Sequence, residues 1–473
     1  MDAQRVLDIF KEITTIPRES GHEAPMTEYL LRFAQEHSLQ AKRDATGNVL
    51  ITREAAPGYE HVPAIVLQSH QDMVCEKTAE STHDFAKDPI HYEIRDGWMV
   101  APETTLGADD GIGVAASLAL LASDLKTGKL EALFTISEET GMDGAEALES
   151  GFFTGKTLIN LDSEDEGQLF IGCAGGVNTT ARLEYPLQAV EEGDKAVKVA
   201  IGGTAGGHSG DDINKGRINA VQQLARFLHS QQGWKLVSFI GGGKSNAIAR
   251  ECEAVILTQD PDGMAAALEA FGNTLREEYA SSDPAAQVRC EPVPAPAESL
   301  SEKDSRMFIS AIWACPHGVY AMDQNIAGLV ETSDNLASVK MPDGPGKFLV
   351  SLSERSSVAS AKEAIKDRIQ AHFELAGGKV EHKLPYPGWK PNPDSHILKV
   401  CVDAYKRLFD QEPLVLAIHA GLECGLFLEK FPDLDMISFG PTLRGVHAPG
   451  ERLELASMDK FVKLLTEVVC RFE

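Results

Sequence analysis

The sequence predicts an α/β fold: a mostly parallel sheet flanked by helices, with an α+β lid domain inserted into it. Short apolar runs alternate with helical stretches in the first 180 residues, and this alternation returns after residue 388. Strands that are apolar on both faces and separated by helices are typical of a sheet covered on both sides. We therefore expect one domain from residues 1–180 plus 388–473 and an inserted domain at 181–387.

The first segment begins with two amphipathic helices. Apolar residues repeat at helical spacing from Val6 to Ile13, and Pro17 marks the end of that helix. A second helix begins near Pro25. Apolar runs then predict strands at 48–52, 64–68, 131–136 and 157–161, with a helix at 112–122.

The inserted region has the element order of an α+β domain. Its predicted strands are 197–201, 236–240, 253–258, 328–332, 348–352 and 378–383, and its predicted helices are 219–229, 263–279 and 360–375. A proline-rich stretch at 292–296 indicates a connector within the inserted region. The inserted domain could therefore consist of two similar halves. Beyond residues 385–393, helices at 397–409 and 457–472 and a strand at 435–439 resume the first pattern.

Charge and cysteine usage exclude several kinds of partner. Among 473 residues, 71 acidic side chains outweigh 44 basic ones, for a net charge of −27. Nucleic acids and anionic membranes attract basic surfaces, so we expect neither as a partner. Eight scattered cysteines without a CxxC pair, and an N-terminus without a signal peptide, predict a cytoplasmic protein with reduced thiols.

Carboxylates and imidazoles follow the predicted strands. They are His70, Asp72, Glu138, Glu139, Asp162 and His447, and Asp109 opens the helix at 112–122. Ligands of open α/β sheets bind beyond the carboxyl ends of the strands, so these groups can converge. Singly, each has a structural alternative, such as an N-cap or a solvated face. Together, two imidazoles and three carboxylates suit zinc, manganese or cobalt.

Ordered motifs then point to a family. The segments are SHQD, LGADDGIG, SEETG, LDSEDEG and GVHAP, with GGHSG and SER in the insertion. Over its whole length the chain resembles the co-catalytic di-metal peptidase family of carboxypeptidase G, aminoacylase and the cytosolic dipeptidases. Within that family, HQDMVCEK, GGHSGDDINKGRINA and HAGLECG resemble the signatures of bacterial dipeptidases that cleave aminoacyl-histidine.

The resemblance implies two divalent metal ions per chain, with zinc expected first and manganese or cobalt as alternatives. It implies that Asp109 bridges both metals. His70 and Asp162 would complete the ligand shell of one metal, and Glu139 and His447 that of the other.

The resemblance also implies residues that act on the substrate. Glu138 is implied as the general base for attack by a metal-bridging hydroxide, and Asp72 as the partner that orients His70. His208 would stabilise the oxyanion, from its own chain or from a partner subunit. Arg355 would bind the substrate carboxylate with its bidentate guanidinium. The remaining implied substrate contacts are Asn246 and, for the free amine, Glu423.

The implied reaction is hydrolysis of dipeptides, specifically Xaa-His dipeptides such as β-Ala-His. An N-acyl amino acid deacylase of the same family is the alternative. A catalytically silent metal-binding scaffold is a third interpretation, disfavoured because Glu138 serves turnover and not metal binding. Structural readings also stay open for Arg355, as a surface ion pair with Glu354, and for His208, as an ordinary loop histidine. The sequence is compatible with a monomer and with a homodimer.

Overall fold

A computed structural model describes residues 1–472, apart from the side chain of Leu384. Internal contacts divide the chain into two compact units. The first unit consists of Met1–Gly172, Trp389–Ala417 and the chain from Leu422 onward, and the second unit of Cys173–Gly388 and Ile418–Gly421. Within residues 1–472, no helix combines the length and the apolar character needed to cross a bilayer.

The elements up to the start of the second unit contain all three sequence-predicted helices and all four predicted strands. They are α1 Ala3–Ile13, α2 Ala24–Glu36, β1 Gln40–Arg43, β2 Val49–Arg53, β3 Ile65–His70, β4 Glu93–Arg95, β5 Trp98–Val100, α3 Ala108–Leu121, β6 Leu130–Thr135, α4 Glu138–Gly141, α5 Asp143–Ala147, β7 Thr157–Asn160 and β8 Gln168–Cys173.

The second unit contains longer strands. Its elements are β9 Gly175–Glu184, β10 Leu187–Ala189, β11 Lys195–Gly202, β12 Gly207–His208, α6 Ala220–Ser230, β13 Trp234–Gly242, β14 Ala247–Ile248, β15 Cys252–Thr258, α7 Pro261–Glu278, β16 Gln287–Pro292, β17 Glu298–Leu300, α8 Glu302–Ala314, β18 Gly318–Met322, β19 Val330–Lys340, β20 Lys347–Ser356, α9 Ala359–Leu375 and β21 Lys379–Tyr386.

The last part of the chain returns to helices and short strands. These are α10 His396–Phe409, β22 Leu414–Ile418, α11 Glu423–Lys430, β23 Asp435–Ser438, β24 Leu443–Arg444, β25 Arg452–Glu454 and α12 Leu455–Arg471.

The sheet of the first unit has the strand order β1-β2-β6-β3-β7-β23-β8-β22. Its four middle strands, β6, β3, β7 and β23, are parallel, and β1, β2 and β8 pair antiparallel with their neighbours. Every residue of β3, β6 and β7 is buried, as expected for strands covered on both faces. The predicted α/β fold class is confirmed.

The parallel strands end at one edge of this sheet. His70, the last residue of β3, is in register with Thr135, the last residue of β6. Gln68 of β3 is in register with Asn160, the last residue of β7. The chemistry-bearing residues that follow each strand are therefore delivered to the same edge.

The second unit is built on a nine-stranded antiparallel sheet. Its order is β16-β11-β15-β13-β19-β20-β9-β21, with β18 also paired to β19. Trp234 and Phe239 of β13, Phe308 of α8 and Phe348 of β20 are fully buried in its core. The rings of Phe308 and Phe348 stack with centroids 3.9 Å apart. Burial of aromatic side chains supplies much of the stabilisation of such a core.

Candidate metal centre

The carboxylate of Asp109 lies between two histidines at the carboxyl edge of the first unit's sheet. Its Oδ1 is 3.1 Å from Nε2 of His70, and its Oδ2 is 3.0 Å from Nε2 of His447. Gly107 has a φ of 70°, a conformation that favours glycine, just before Asp109 at the start of α3. One carboxylate thus faces a different imidazole with each of its oxygens.

A second carboxylate lies beside each histidine. Oδ1 of Asp162, just after β7, is 3.4 Å from Nε2 of His70. Oε2 of Glu139, on α4, is 2.9 Å from Nε2 of His447. One ligand atom each from His70, Asp109 and Glu139 can be chosen so that all lie within 4.8 Å of one another. The donors form two groups that share Asp109.

The chemistry of this donor set fits divalent metal ions. Burial, together with neighbouring carboxylates, raises the pKa of Asp162 well above its ordinary value. Hydrogen bonds to Asp109 and Glu139 raise the pKa of His447 to about 11. Carboxylates gathered out of water need a compensating positive charge. Imidazole nitrogens and carboxylate oxygens are ligands that zinc, manganese and cobalt accept.

Asp72 connects His70 to the turn that carries the two glutamates. Its Oδ1 is 3.3 Å from Nδ1 of His70. It also accepts hydrogen bonds from the backbone N–H groups of Glu138, at 3.1 Å, and Glu139, at 3.2 Å. Burial opposes ionisation of Asp72, but hydrogen bonds from His70 and Ser20 outweigh it and lower its pKa to about 2. Asp72 is therefore a charged acceptor that ties together the segments around the site.

Glu138 is the first residue of α4, and Glu139 follows it directly. Burial and the nearby carboxylates of Glu139, Glu423 and Asp109 raise the pKa of Glu138 well above its ordinary value. A carboxylate with a raised pKa is a better proton acceptor.

Glu423, at the start of α11, is buried in the same unit. Its Oε2 accepts hydrogen bonds from Nε2 of Gln68, at 2.6 Å, and Oγ1 of Thr135, at 2.9 Å. Burial raises the pKa of its carboxyl group to about 7. Among residues 1–472, Oε1 of Glu423 has no hydrogen-bond partner, so this oxygen is left for a further contact.

Arg355 lies on β20 of the second unit and is only 6% exposed. It donates to the hydroxyl of Tyr386, at 3.3 Å, and to the backbone carbonyl of His419, at 3.4 Å. Successive side chains of a strand point to opposite faces, so Glu354 does not face Arg355. Both residues are also buried, so the interpretation of Arg355 as part of a surface ion pair with Glu354 is wrong. A buried guanidinium that donates to neutral oxygens is suited to bind an anion.

The structure brings His208 and Asn246 close together in the second unit. The backbone N–H of Ser209 donates to the carbonyl of Asn246 at 2.8 Å, and His208 pairs with Ala247 between β12 and β14. Nδ1 of His208 is 3.2 Å from Oδ2 of Asp211.

Sequence reasoning missed His419 of the second unit. Its Nε2 is 2.7 Å from Oγ of Ser333. Burial and the charge of Arg355 lower the pKa of His419 to about 3, so its imidazole is neutral. His419 opens the HAGLECG segment, which is the signal that could have identified it.

Sequence reasoning also missed Arg18, Glu23 and Glu451 of the first unit. Glu451 is buried and accepts hydrogen bonds from the backbone N–H groups of Leu106, at 2.7 Å, and Gly107, at 2.9 Å. It also accepts from Ala108 at 2.8 Å. The sequence signal that could have identified Glu451 is its position four residues after His447.

Comparisons with known proteins cover nearly the whole chain. A profile described as "Peptidase family M20/M25/M40" matches residues 66–471. The "Cytosol non-specific dipeptidase" of Escherichia coli K12 is 38% identical over 475 residues, or 99% of this chain and 98% of that protein. Both findings confirm the family that the sequence motifs resemble.

Solved structures agree with this assignment. The crystal structure of aminoacylhistidine dipeptidase from Vibrio alginolyticus has a TM-score of 0.92 and 37% identity, covering 99% of this chain and 96% of that chain. Aminopeptidase PepT from Bacillus cereus shares the fold, with a TM-score of 0.59, 16% identity and coverage of 99% and 98%. The chain belongs to the peptidase family M20/M25/M40.

Proposed function

We propose that the protein is a metal-dependent dipeptidase that hydrolyses Xaa-His dipeptides such as β-Ala-His. The observation that carries the proposal is the shared position of Asp109, with one oxygen directed at His70 and the other at His447. The names of the Escherichia coli and Vibrio alginolyticus relatives, both dipeptidases, support the reaction class.

The proposed cofactor is a pair of divalent metal ions, with zinc the first candidate and manganese or cobalt the alternatives. His70 and Asp162 would hold one ion, Glu139 and His447 the other, and Asp109 both. The proximity of Asp162 to His70 and of Glu139 to His447 supports this division. When bound, such ions act as Lewis acids that polarise the scissile carbonyl and acidify water.

The chain's own residues would then move the proton. Glu138 takes a proton from the water that attacks the carbonyl carbon of the substrate. The C–N bond breaks, and Glu138 returns that proton to the leaving amine. Asp72 holds the imidazole of His70 and the backbone of Glu138, which keeps the base at a fixed place beside the ligands.

The substrate contacts implied by the resemblance complete the proposal. The guanidinium of Arg355 would bind the terminal carboxylate, and its burial among neutral oxygens supports that role. His208 would stabilise the oxyanion. Asn246, which lies next to His208, would assist Arg355 in binding the substrate carboxylate. Glu423 would contact the free amine through Oε1. His208 could act within its own chain or across the subunits of a homodimer. A measurement of the molecular mass in solution distinguishes the homodimer from a monomer.

The proposal places the protein in the cytoplasm. The name of the Escherichia coli relative supports this location. Within residues 1–472 no disulfide joins the eight cysteines, in keeping with a reducing compartment.

Replacing Glu138 with Gln tests the base. We expect Glu138→Gln to lose at least about 100-fold in kcat, because the amide cannot accept the proton. Metal analysis of the same preparation should still give two ions per chain. Glu146→Gln, at an exposed position on α5, is the matched control and should keep full activity. An active Glu138→Gln variant would show that another group is the base.

A substrate pair separates the dipeptidase from the deacylase. The zinc- or manganese-loaded protein is incubated with β-Ala-His and with an N-acetyl amino acid, and the released amines are measured. Hydrolysis of β-Ala-His supports the dipeptidase. Release from the acetyl substrate alone would replace it with the deacylase of the same family.

A further inference from the structure

A short segment between α1 and α2 contacts the loops that carry the proposed metal ligands. We call this segment, residues 18–23, the brace. Arg18 is 2% exposed, and its guanidinium donates to the backbone carbonyls of Gln71, at 3.1 Å, Asp72, at 2.6 Å, and Gly107. The loop after His70 and the loop before Asp109 are therefore joined through one side chain.

Two glycines of the LGADDGIG segment make room for this guanidinium. A Cβ atom at Gly107 would lie 2.5 Å from Nη2 of Arg18, and one at Gly111 would lie 2.6 Å from the same atom. Both distances are too short for a side chain. The backbone around Asp109 is thus shaped to fit Arg18.

The brace also reaches the turn that carries Glu138. Oγ of Ser20 donates to Oδ2 of Asp72 at 2.7 Å. Oε1 of Glu23 accepts hydrogen bonds from the N–H of Ser137, at 3.0 Å, and from its hydroxyl, at 3.1 Å. Ser137 has a φ of 53°, which is unfavourable for a residue with a side chain and needs external support.

The nearby carboxylates of Glu451, Asp72 and Asp109 favour a positive charge at this place, but they do not favour arginine over lysine. A positive charge beside a site for divalent cations opposes metal binding through coulombic repulsion. Burial of a guanidinium is also costly unless its donors are satisfied. Its planar fork of donors, however, can bond several carbonyl oxygens in a fixed geometry, which the single ammonium group of lysine cannot do.

We infer that the brace is a positioning element of the metal centre, in which Arg18 fixes the loop of His70 relative to the loop of Asp109 and so sets metal affinity. The inference rests on the proposed function, because it takes these residues as metal ligands. Partners that orient metal ligands from behind typically contribute about 10–100-fold to metal affinity.

Zinc affinity of the metal-free full chain tests the inference. Zinc is titrated in competition with a chromophoric chelator, and folding is followed by circular dichroism. We expect Arg18→Lys to stay folded at 25 °C and to bind zinc about 10–100-fold more weakly than wild type. Arg32→Lys, at an exposed position on α2, is the matched control and should bind zinc as wild type does.

A second variant covers the case in which Arg18→Lys does not fold. Ser20→Ala removes only the hydroxyl that bonds Asp72, and we expect it to fold and to weaken zinc binding several-fold. If the folded variants bind zinc as wild type does, the brace has only a structural role, whatever the melting temperatures of the variants. That result would overturn the inference and leave the proposed function intact. A wild-type chain that binds no zinc, manganese or cobalt would overturn the proposed function and the inference with it.

Discussion

Two distant side chains hold the peptide segment before Asp109 by bonding its backbone groups. Glu451 accepts hydrogen bonds from the N–H groups of Leu106, Gly107 and Ala108, and Arg18 donates to the carbonyl of Gly107. A carboxylate and a guanidinium therefore hold the two sides of the same peptide segment. Charge-assisted hydrogen bonds of this kind are roughly twice as strong as neutral ones.

At this scale the sequence identified the side chains that converge but not the ones that hold them. His70, Glu139 and Asp162 each follow a strand, and the edge at which the strands end predicted their convergence. Arg18 and Glu451 bond backbone atoms, which every residue type carries, so the sequence of the bonded segment does not reveal these contacts. Glu451 also lies 345 positions away from Leu106, so no local pattern connects the two.

A pair of buried acids in the second unit predicts an unusual pH dependence. Asp334 of β19 and Glu354 of β20 are paired across the sheet and are fully buried. Burial raises the pKa of Glu354 from 4.5 to about 7. The folded state then keeps its proton to a higher pH than the unfolded state does. Stability from this group therefore falls as the pH rises from about 4.5 to about 7.

We expect Glu354→Gln to remove that loss, because the amide is neutral at every pH. The variant should be more stable than wild type at pH 8, by at most about 3 kcal/mol, and the difference should shrink towards pH 5. The melting temperature measured at both pH values checks this. Glu298→Gln, at an exposed site on β17, is the control and should follow wild type. Equal pH dependence in all three proteins would contradict the prediction.

At the scale of elements, regular patterns were predictable and interrupted ones were not. The sequence predicted a strand only at 328–332, whereas β19 extends over Val330–Lys340. Its centre carries the buried polar residues Asp334 and Asn335, which break the apolar run. Helix α8 was missed altogether, although Ser301 caps it by accepting the N–H of Asp304. Tertiary contacts override local propensity at such places.

Two helix caps in the second unit make a matched comparison. Asn219 accepts the N–H of Gln222 at the start of α6 and donates to the carbonyl of Leu336 at 2.7 Å. Asp260 accepts the N–H of Gly263 at the start of α7 and is exposed. Asp260→Ala should cost about 1 kcal/mol of unfolding free energy, as a lost cap does. Asn219→Ala should cost about 2–4 kcal/mol, because a buried carbonyl also loses its donor.

Unfolding in urea, followed by circular dichroism, measures both caps. An Asn219→Ala variant no less stable than Asp260→Ala would show that the contact with Leu336 contributes nothing beyond the cap.

At the scale of the whole molecule, net charge was a poor guide to the site. Of the 71 acidic residues, the proposed metal centre involves only Asp72, Asp109, Glu138, Glu139 and Asp162. Their shielding from water distinguishes them from most of the other acids, and the net charge does not reveal it. The order of strands in the second unit's sheet could not be predicted from the sequence either. Within this sheet β13 pairs with β19 through Gly241 and Gly242, and no local sequence pattern specifies that pairing.

Metal removal should lower the stability of the folded chain. Carboxylates and imidazoles gathered at Asp109 lose their compensating cations, and a ligand present at 100 times its Kd stabilises the folded state by about 2.7 kcal/mol. We expect the melting temperature to fall after chelation and to recover with added zinc. His447→Ala is the comparison, and its melting temperature should respond less to zinc. Identical melting curves with and without a chelator would contradict the prediction.

The division of the first unit among separate stretches of chain has a consequence for biosynthesis. A ribosome releases His70, Asp109 and Glu139 long before it releases His447 and Glu451, which complete the same cluster. Until then the peptide segment before Asp109 lacks the carboxylate that binds its amides. Assembly of this cluster is therefore a late event, which follows synthesis of nearly the entire polypeptide, and truncated products cannot complete it.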